Sequence, residues 1–525
     1  MRDIARVRLP ARQRGATLLI LLVLVSVVLS YAVVAGLNRN ADDIARARQQ
    51  KTYAALAQAK EALIAYAVTF KDTHDDPSAL PTPTYTVPGF LPCPDTGSAT
   101  NKEGTTNLNC NKFLVSAIGR LPWKTLGLDA LRDGSGECLW YAVSGTYKYN
   151  PNGVLSNNTA SNNLMNWDTN GQFNVMGANG TSFLAGSADE TRADTRAVAV
   201  VFAPGAALPG QDRTPVTGTA NCGGNYNPAA YMETANNINN GTLVAPSSPG
   251  SVTDVSSFIA AAGSDTFNDK LVYITRADIW NAIKRRADFN NYLRALTRRA
   301  AECTAMYGTR NGAGTNDKRL PWASSVSMSY LPYYAVDQRY RDVSGTDAGR
   351  LSYQIDVSVS ATNNALSSNR DLGYTNILLL TSGSYCAYTA EEKIWYDHWK
   401  DHLFYAVADG YTPSASHPTA SCNSSNCLKI SDGADTFTYY AAVVIFAGEK
   451  LSGQNRNTLS DKSQISNYLE ATNTSSNSSG NNTYRGGSAG NAFNDFVYAI
   501  DTNLAVKCYD PASGTMKSAP SAACP

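Results

Sequence analysis

The chain has 525 residues, a formal net charge of +1 and 43% apolar content, with charged residues at only 17%. That length exceeds one ordinary domain, and the apolar share is sufficient for real cores. The balanced charge excludes a general attraction to nucleic acid, because the basic residues beyond the N-terminus are not gathered into one stripe; Lys284, Arg285, Arg286, Arg294, Arg298 and Arg299 read as the solvated face of a helix.

The chain opens on a basic stretch, residues 1–15, carrying Arg2, Arg6, Arg8, Arg12 and Arg14. Ala16 to Gly36 follows as 21 residues without a charge. As a helix at ~1.5 Å per residue it would reach about 30 Å, the thickness of a bilayer core. The arginines would stay on the cytoplasmic side, which predicts a single-pass inner-membrane anchor with everything beyond it periplasmic. A secretory signal is cut beyond its apolar stretch. Here Gly15 stands before it, so cleavage after Gly15 would remove the leader and keep the apolar segment.

Gly15-Ala16-Thr17-Leu18-Leu19-Ile20-Leu21-Leu22, behind its basic leader, resembles the N-terminus of type IV pilins and pseudopilins. The resemblance implies cleavage by a prepilin peptidase between Gly15 and Ala16 and methylation of the new terminus. It also implies residence in the inner membrane and packing of the helix through Thr17, Leu18, Leu19, Ile20, Leu21 and Leu22 against other pilins or pseudopilins. Most members have Glu as the fifth mature residue, where this chain has Ile20. A carboxylate at bilayer depth costs roughly 2.5–3.5 kcal/mol on insertion scales and is retained only where a partner offsets it. In the family, its loss belongs to subunits at the filament tip, so the resemblance implies a tip or initiating position. An uncleaved single-span anchor is the alternative.

Ile44, Leu56, Lys60, Leu63, Ile64, Ala67 and Phe70 continue a helical stripe, which Pro77, Pro81 and Pro83 terminate. Beyond them the chain is written twice. Ala197–Arg213 aligns without a gap on Tyr440–Arg456, and further landmarks recur in order. Arg120-Leu-Pro-Trp123 pairs with Arg319-Leu-Pro-Trp322, Leu139–Val143 with Leu403–Val407, and Tyr231-Met-Glu233 with Tyr468-Leu-Glu470. Phe267-Asn-Asp269 followed by Val272-Tyr273 pairs with Phe493-Asn-Asp495 followed by Val497-Tyr498. A helix from Asp278 to about Tyr307 introduces the second copy. Strands are predicted at Leu139–Val143, Val198–Ala203, Leu271–Thr275, Leu403–Val407, Ala441–Ala447 and Phe496–Ile500. Asn/Gly/Ser-rich stretches at 150–174, 236–250 and 473–490 read as surface loops.

The expected fold class is α+β: a long N-terminal transmembrane and amphipathic helix followed by two tandem pilin-like heads, each a helix on an antiparallel sheet. The expected divisions are a leader at 1–15, a transmembrane half-helix at 16–37, heads at 38–276 and 277–505, and a disulfide-closed tail at 506–525.

All ten cysteines lie beyond the apolar run, an even count that suggests five disulfides in an oxidising compartment. Connectivity is open, but short loops favour Cys93 with Cys110 and Cys422 with Cys427. Cys508 with Cys524 would close a C-terminal loop like that of many pilin heads. Cys138–Cys222 and Cys303–Cys386 rank first for the rest, since each stays within one half.

His398 and His402 stand four residues apart, a spacing that on a helix can chelate a metal. Asp168 and Asn170 begin a loop with oxygen ligands at alternate positions, and calcium is the cofactor that the pilin resemblance would allow there; no resident cofactor is otherwise expected. Gly-Gln-Asp-Arg213 and Gly-Gln-Asn-Arg456 read as structural turns in which the arginine ties the loop to a carbonyl or an acid. With His74 and His417 as the only other histidines, a Ser-His-Asp triad has few bases, and no catalytic residue is assigned.

These readings lead to a non-enzymatic minor pilin or pseudopilin-like subunit, at the tip of a type IV pilus or type II secretion-like filament, acting in assembly and surface adhesion. Its expected partners are other pilins, a prepilin peptidase and the inner membrane, with no nucleic acid. A non-polymerising, membrane-anchored binding protein is the alternative. A metal-dependent surface enzyme built on His398 and His402 is a more distant one.

Overall fold

A computed structural model describes residues 13–79, 83–97, 102–107, 110, 114–149, 164–247, 252–309, 318–327, 340–353, 355, 386, 388–414, 422–431, 437–474, 483–522 and 524, with the side chains of the first helix from residue 42 onward. That helix, α1 (Gln13–His74), buries Ala55, Leu56, Ala59, Leu63, Ala67 and Phe70 along one stripe. The small alanines let its axis approach the sheet closely. Its opposite face carries exposed Asp42, Asp43, Arg46, Arg48, Lys51 and Glu61. Among the described residues no helix is long and apolar enough to cross a membrane. This corrects two expectations: the transmembrane half-helix at 16–37 within the fold class, and the single-pass inner-membrane placement. Residues 1–12 of the expected leader lie outside the described residues.

The first sheet is built from β1 (Ala117–Arg120), β2 (Trp140–Val143), β3 (Phe173–Met176), β4 (Phe183–Ala185), β5 (Ala197–Ala203), β8 (Ser256–Ile259) and β9 (Lys270–Thr275); β6 (Thr234–Ala235) and β7 (Ile238–Asn239) form a small separate hairpin. β1, β2, β5 and β9 are successive antiparallel neighbours, and α1 packs on β5 and β9. β3 pairs parallel with β8, so the sheet is mixed rather than antiparallel as expected.

The second sheet runs β10 (Ala348–Arg350), β11 (Leu403–Val407), β14 (Ala442–Phe446), β16 (Phe496–Ile500), β17 (Val506–Asp510) and β18 (Thr515–Ser518), all antiparallel. A third, three-stranded sheet joins β12 (Leu428–Ser431), β13 (Phe437–Tyr440) and β15 (Thr483–Arg485), with β12 and β15 parallel. The six expected strands appear within a residue of their predicted ends.

The expected helix at 278–307 is two helices, α2 (Arg276–Ile283) and α3 (Phe289–Thr309). A reciprocal cap between Thr275 and Asp278 starts α2. The reason for the break is tertiary. α2 buries Ile279, Trp280 and Ile283 and packs back on α1 and β9, while α3 covers β14, β16 and β17. One straight helix cannot serve both surfaces. Arg286, in the break, donates to Val68 O at 3.0 Å and pairs with Asp72 of α1.

The duplication survives as geometry, in a register that the sequence alignment missed. Leu91 N donates to Tyr147 O at 2.8 Å and Leu320 N to Tyr411 O at 2.8 Å. Tyr141 Oη donates to Pro92 O, and Tyr405 Oη to Pro321 O, at 3.2 and 3.0 Å. Leu121 N donates to Leu139 O, and Leu351 N to Leu403 O. Leu320-Pro321 is therefore the counterpart of Leu91-Pro92, and Arg350 on β10 is the counterpart of Arg120 on β1, which corrects the pairing of the two Arg-Leu-Pro-Trp runs. In the last strand Val272 faces Val201 as Tyr498 faces Val444, one residue from the sequence alignment.

One hydrophobic core runs from Ala55 of α1 through Tyr141, Val201, Trp280, Leu293, Trp399 and Val444 to Cys524. The two halves therefore share an interior. A smaller cluster, with Trp140, Phe173, Phe202, Tyr231 and Phe258, fills the far face of the first sheet. The five disulfides are Cys93–Cys110, Cys138–Cys222, Cys303–Cys386, Cys422–Cys427 and Cys508–Cys524. They suit a periplasmic or extracellular location.

Candidate functional site

Each half contains a tyrosine flanked by two arginines. In the first, the Tyr231 ring has the Arg213 guanidinium 4.6 Å and that of Arg120 5.7 Å from its centroid; in the second, Tyr468 has Arg456 at 4.3 Å and Arg350 at 4.7 Å. Cation–π contacts of this kind gain strength when desolvated, and all these side chains are buried or nearly so.

The strand-end turn positions the second arginine of each box. After β5, Arg213 donates to Gly205 O at 2.8 Å, Ala230 O at 3.0 Å and Gln211 Oε1 at 2.7 Å. After β14, Arg456 donates to Gly448 O at 2.9 Å, to Asn467 O and to Gln454 Oε1 at 3.3 Å. The arginines thus bind carbonyls that the turns leave without a ladder partner, the structural role expected of both Gly-Gln-x-Arg motifs.

The acid that answers the arginine differs between the copies. Arg213 pairs at 3.1 Å with Glu137 of its own half, whose side chain is 27% exposed. Arg456 instead pairs at 3.2 Å with Asp168 of the other half, and both side chains are 1% exposed. Residues 164–170 reach from the first half into the second to make this contact.

Around Asp168 lies a dense polar joint. His402 Nε2 is 3.0 Å from Asp168 Oδ2, and its Nδ1 is 2.8 Å from Asp401 Oδ1. The Trp167 indole nitrogen is 2.8 Å from His402 Nε2. Asn166 donates to Asp401 Oδ1 at 3.2 Å and to His398 O at 2.8 Å. Arg350 donates to Asp401 O, and Lys462 Nζ is 3.7 Å from Asp401 Oδ2. Burial alone would raise the Asp168 carboxyl, but the charge of Arg456, with His402 and Arg276, outweighs it and holds that group well below the usual carboxylate range. Asp401, likewise opposed by burial, is held down at about 2 by His402 and Lys462.

The residues weighed as metal candidates are engaged otherwise. Helix α4 (Ala390–Trp399) ends before His402, which sits in a following turn, Lys400–His402. The two imidazoles therefore do not share a helical face. His398 Nδ1 accepts from Met165 N at 2.8 Å, and burial, with Lys400 and Lys393 nearby, lowers this histidine to about 3. Asp168 and Asn170 do not converge on a common cation. Asn170 Oδ1 accepts from Arg276 at 2.9 Å and its Nδ2 donates to Asn457 Oδ1 at 3.0 Å, while Asp168 Oδ2 faces Arg456. Among the described residues no group of three or more His, Cys, Asp or Glu side chains could hold a metal.

A rim of contacts surrounds the joint. Asp194 of the first half pairs with Lys450, and Asn457 donates to Asp194 Oδ1 at 3.1 Å and to Thr191 O at 2.7 Å. Lys284 pairs with Glu449. What this constellation does chemically is fix one half against the other. Gly15, Ala16 and Thr17–Leu22 fall within α1, but their side chains lie outside the described residues.

Fold and site together define a disulfide-stapled, internally duplicated protein of mixed helix and sheet whose halves are locked by a buried ionic joint. No protein-family model matches the chain, and comparisons with curated proteins and with solved structures find no match.

Proposed function

We propose that this chain is a low-copy, pilin-like subunit at the tip of a type IV pilus or type II secretion-like filament, and that it works by assembly and contact rather than by catalysis. The observation that carries the proposal is the junction Arg14-Gly15-Ala16-Thr17-Leu18-Leu19-Ile20. It fits a leader-peptidase site followed by an apolar segment that can pack against sister subunits, with Ile20 where a polymerising subunit carries Glu. The locked halves support the same reading, since a subunit at a filament end must transmit force without its parts separating.

N-terminal mass spectrometry of the mature protein tests it. Ala16, methylated, is the expected first residue, and the protein is expected in sheared filaments in a peptidase-dependent manner. An intact Met1, or recovery only outside filaments, would replace this proposal with that of a non-polymerising binding protein.

A further inference from the structure

Each half also contains a pair of buried carboxyl groups connected to its arginine–tyrosine box. Gln211, which accepts from Arg213, donates through Nε2 to Glu233 Oε1 at 2.7 Å, and Gln454, which accepts from Arg456, donates to Glu470 Oε1 at 3.1 Å. Backbone amides supply the other glutamate oxygen: Asn268 N and Asp269 N donate to Glu233 Oε2 at 2.9 and 3.2 Å, and Asn494 N donates to Glu470 Oε2 at 3.1 Å. Both glutamates are thus provided for as anions.

The aspartate beside each is provided for on one side only. Asp269 Oδ2 accepts from Glu233 N at 3.1 Å and from Asn240 Nδ2 at 3.0 Å; Asp495 Oδ2 accepts from Glu470 N at 3.2 Å and from Asn473 Nδ2 at 2.9 Å. Among the described residues no donor reaches Asp269 Oδ1 or Asp495 Oδ1. The exposures are 1% for Asp269, 4% for Asp495, 8% for Glu233 and 6% for Glu470. Glu233 N donates to Asp269 Oδ2 while Asp269 N donates to Glu233 Oε2, and Glu470 N donates to Asp495 Oδ2 while Asn494 N donates to Glu470 Oε2, so in each pair the two carboxyl groups are held side by side. The remaining polar groups facing them are Asn240 and Gln211 in one copy and Asn473 and Gln454 in the other, with Arg213 and Arg456 one glutamine away.

We propose that each half is locked by a bound proton: Asp269 carries it on Oδ1 and donates it to the Glu233 carboxylate, and Asp495 does the same toward Glu470. Two adjacent anions at this depth, with no cation between them, would each oppose the other's charge. One proton per pair removes that repulsion and gives the orphaned oxygen a partner. Burial, followed by the charge of the neighbouring glutamate, pushes both aspartates well above the usual carboxylate range. A group raised on folding supports the fold fully below its unfolded value of 3.8, and that support is lost as pH rises through the folded value. The lock therefore releases toward alkaline pH in each half. It would free the segments that Asn240 and Asn473 tie to Ile259 and Arg485.

The test uses the whole chain. Infrared spectra near neutral pH are expected to show a protonated-carboxyl band that is halved in Asp269→Asn or Asp495→Asn and absent in the double variant, whose carboxamides keep a donor toward each glutamate. The urea midpoint of the native protein is expected to fall as pH rises from neutral toward alkaline values, and that of the double variant to stay level. Absence of the band from the native protein, or an unchanged fall in the double variant, would overturn the proposal. If the double variant does not fold, the native band and its loss on alkaline titration decide the matter alone.

Discussion

Replacing Asp168 by alanine removes the acid partner of Arg456 from a place where neither side chain is more than 1% exposed. The guanidinium keeps its carbonyl contacts with Gly448 and Tyr468 but has no counter-charge, and His402 faces a gap where Asp168 Oδ2 had been 3.0 Å away. Breaking a buried pair by deleting one partner costs about 3–5 kcal/mol, because the survivor stays desolvated. The first copy supplies an internal control. Glu137→Ala removes the acid from Arg213, but Glu137 is 27% exposed and water can take its place, so the expected cost is about 0.2–1 kcal/mol. Urea unfolding of both variants, with disulfides intact, measures the difference. Asp168→Ala is also expected to raise hydrogen exchange in residues 164–170 and 448–470, on the two sides of the joint, whereas Glu137→Ala affects only its own half. Equal losses for the two variants would refute the view that burial across the halves, and not the arginine motif itself, holds the molecule together.

Acid offers a second approach to the same joint. Asp168 and Asp401 are depressed on folding, so their contribution is present above the unfolded value of 3.8 and is lost as pH falls toward about 2; urea midpoints should drop over that interval, and less steeply in Asp168→Asn. A midpoint that rises as pH falls below 3.8 would contradict the assignment. Leu63→Ala, on the buried face of α1, should cost about 2–5 kcal/mol in thermal or urea unfolding, while Glu61→Ala on the exposed face should be nearly silent. Loss of Cys303–Cys386, which closes 83 residues, should destabilise by about 2–5 kcal/mol, measurable by calorimetry of the double serine variant.

Much of the fold was legible because it is written in short-range patterns. The stripe through Leu56, Leu63 and Phe70 marked the face that α1 buries, and runs such as Val198–Ala203 and Leu403–Val407 marked strands. The duplicated Gly-Gln-x-Arg turn was visible, and so was the arginine's structural role, since a glycine at a strand end leaves carbonyls to be answered. Short loops favoured Cys93–Cys110 and Cys422–Cys427, keeping each bridge within one half ranked Cys138–Cys222 and Cys303–Cys386 first, and the pilin resemblance suggested Cys508–Cys524; all five are present. The Arg-Leu-Pro-Trp match misled because identical letters were set together, while the strand register sets Arg120 against Arg350 and Leu91 against Leu320. The spacing of His398 and His402 suggested chelation on a helical face, and the end of α4 at Trp399 removed that face.

The sequence by itself marked the buried stripe of α1, six of the strands and the repeated Gly-Gln-x-Arg turn, because those properties depend on periodicity and local residue identity. Only the tertiary structure decided that the halves share one core, that the helix after residue 276 breaks to serve two surfaces, and that Asp168 of one half neutralises Arg456 of the other. The last contact joins residues 288 apart in the chain. A charge buried there is tolerable only beside its partner, and no local pattern of residues records which distant partner the packing will supply.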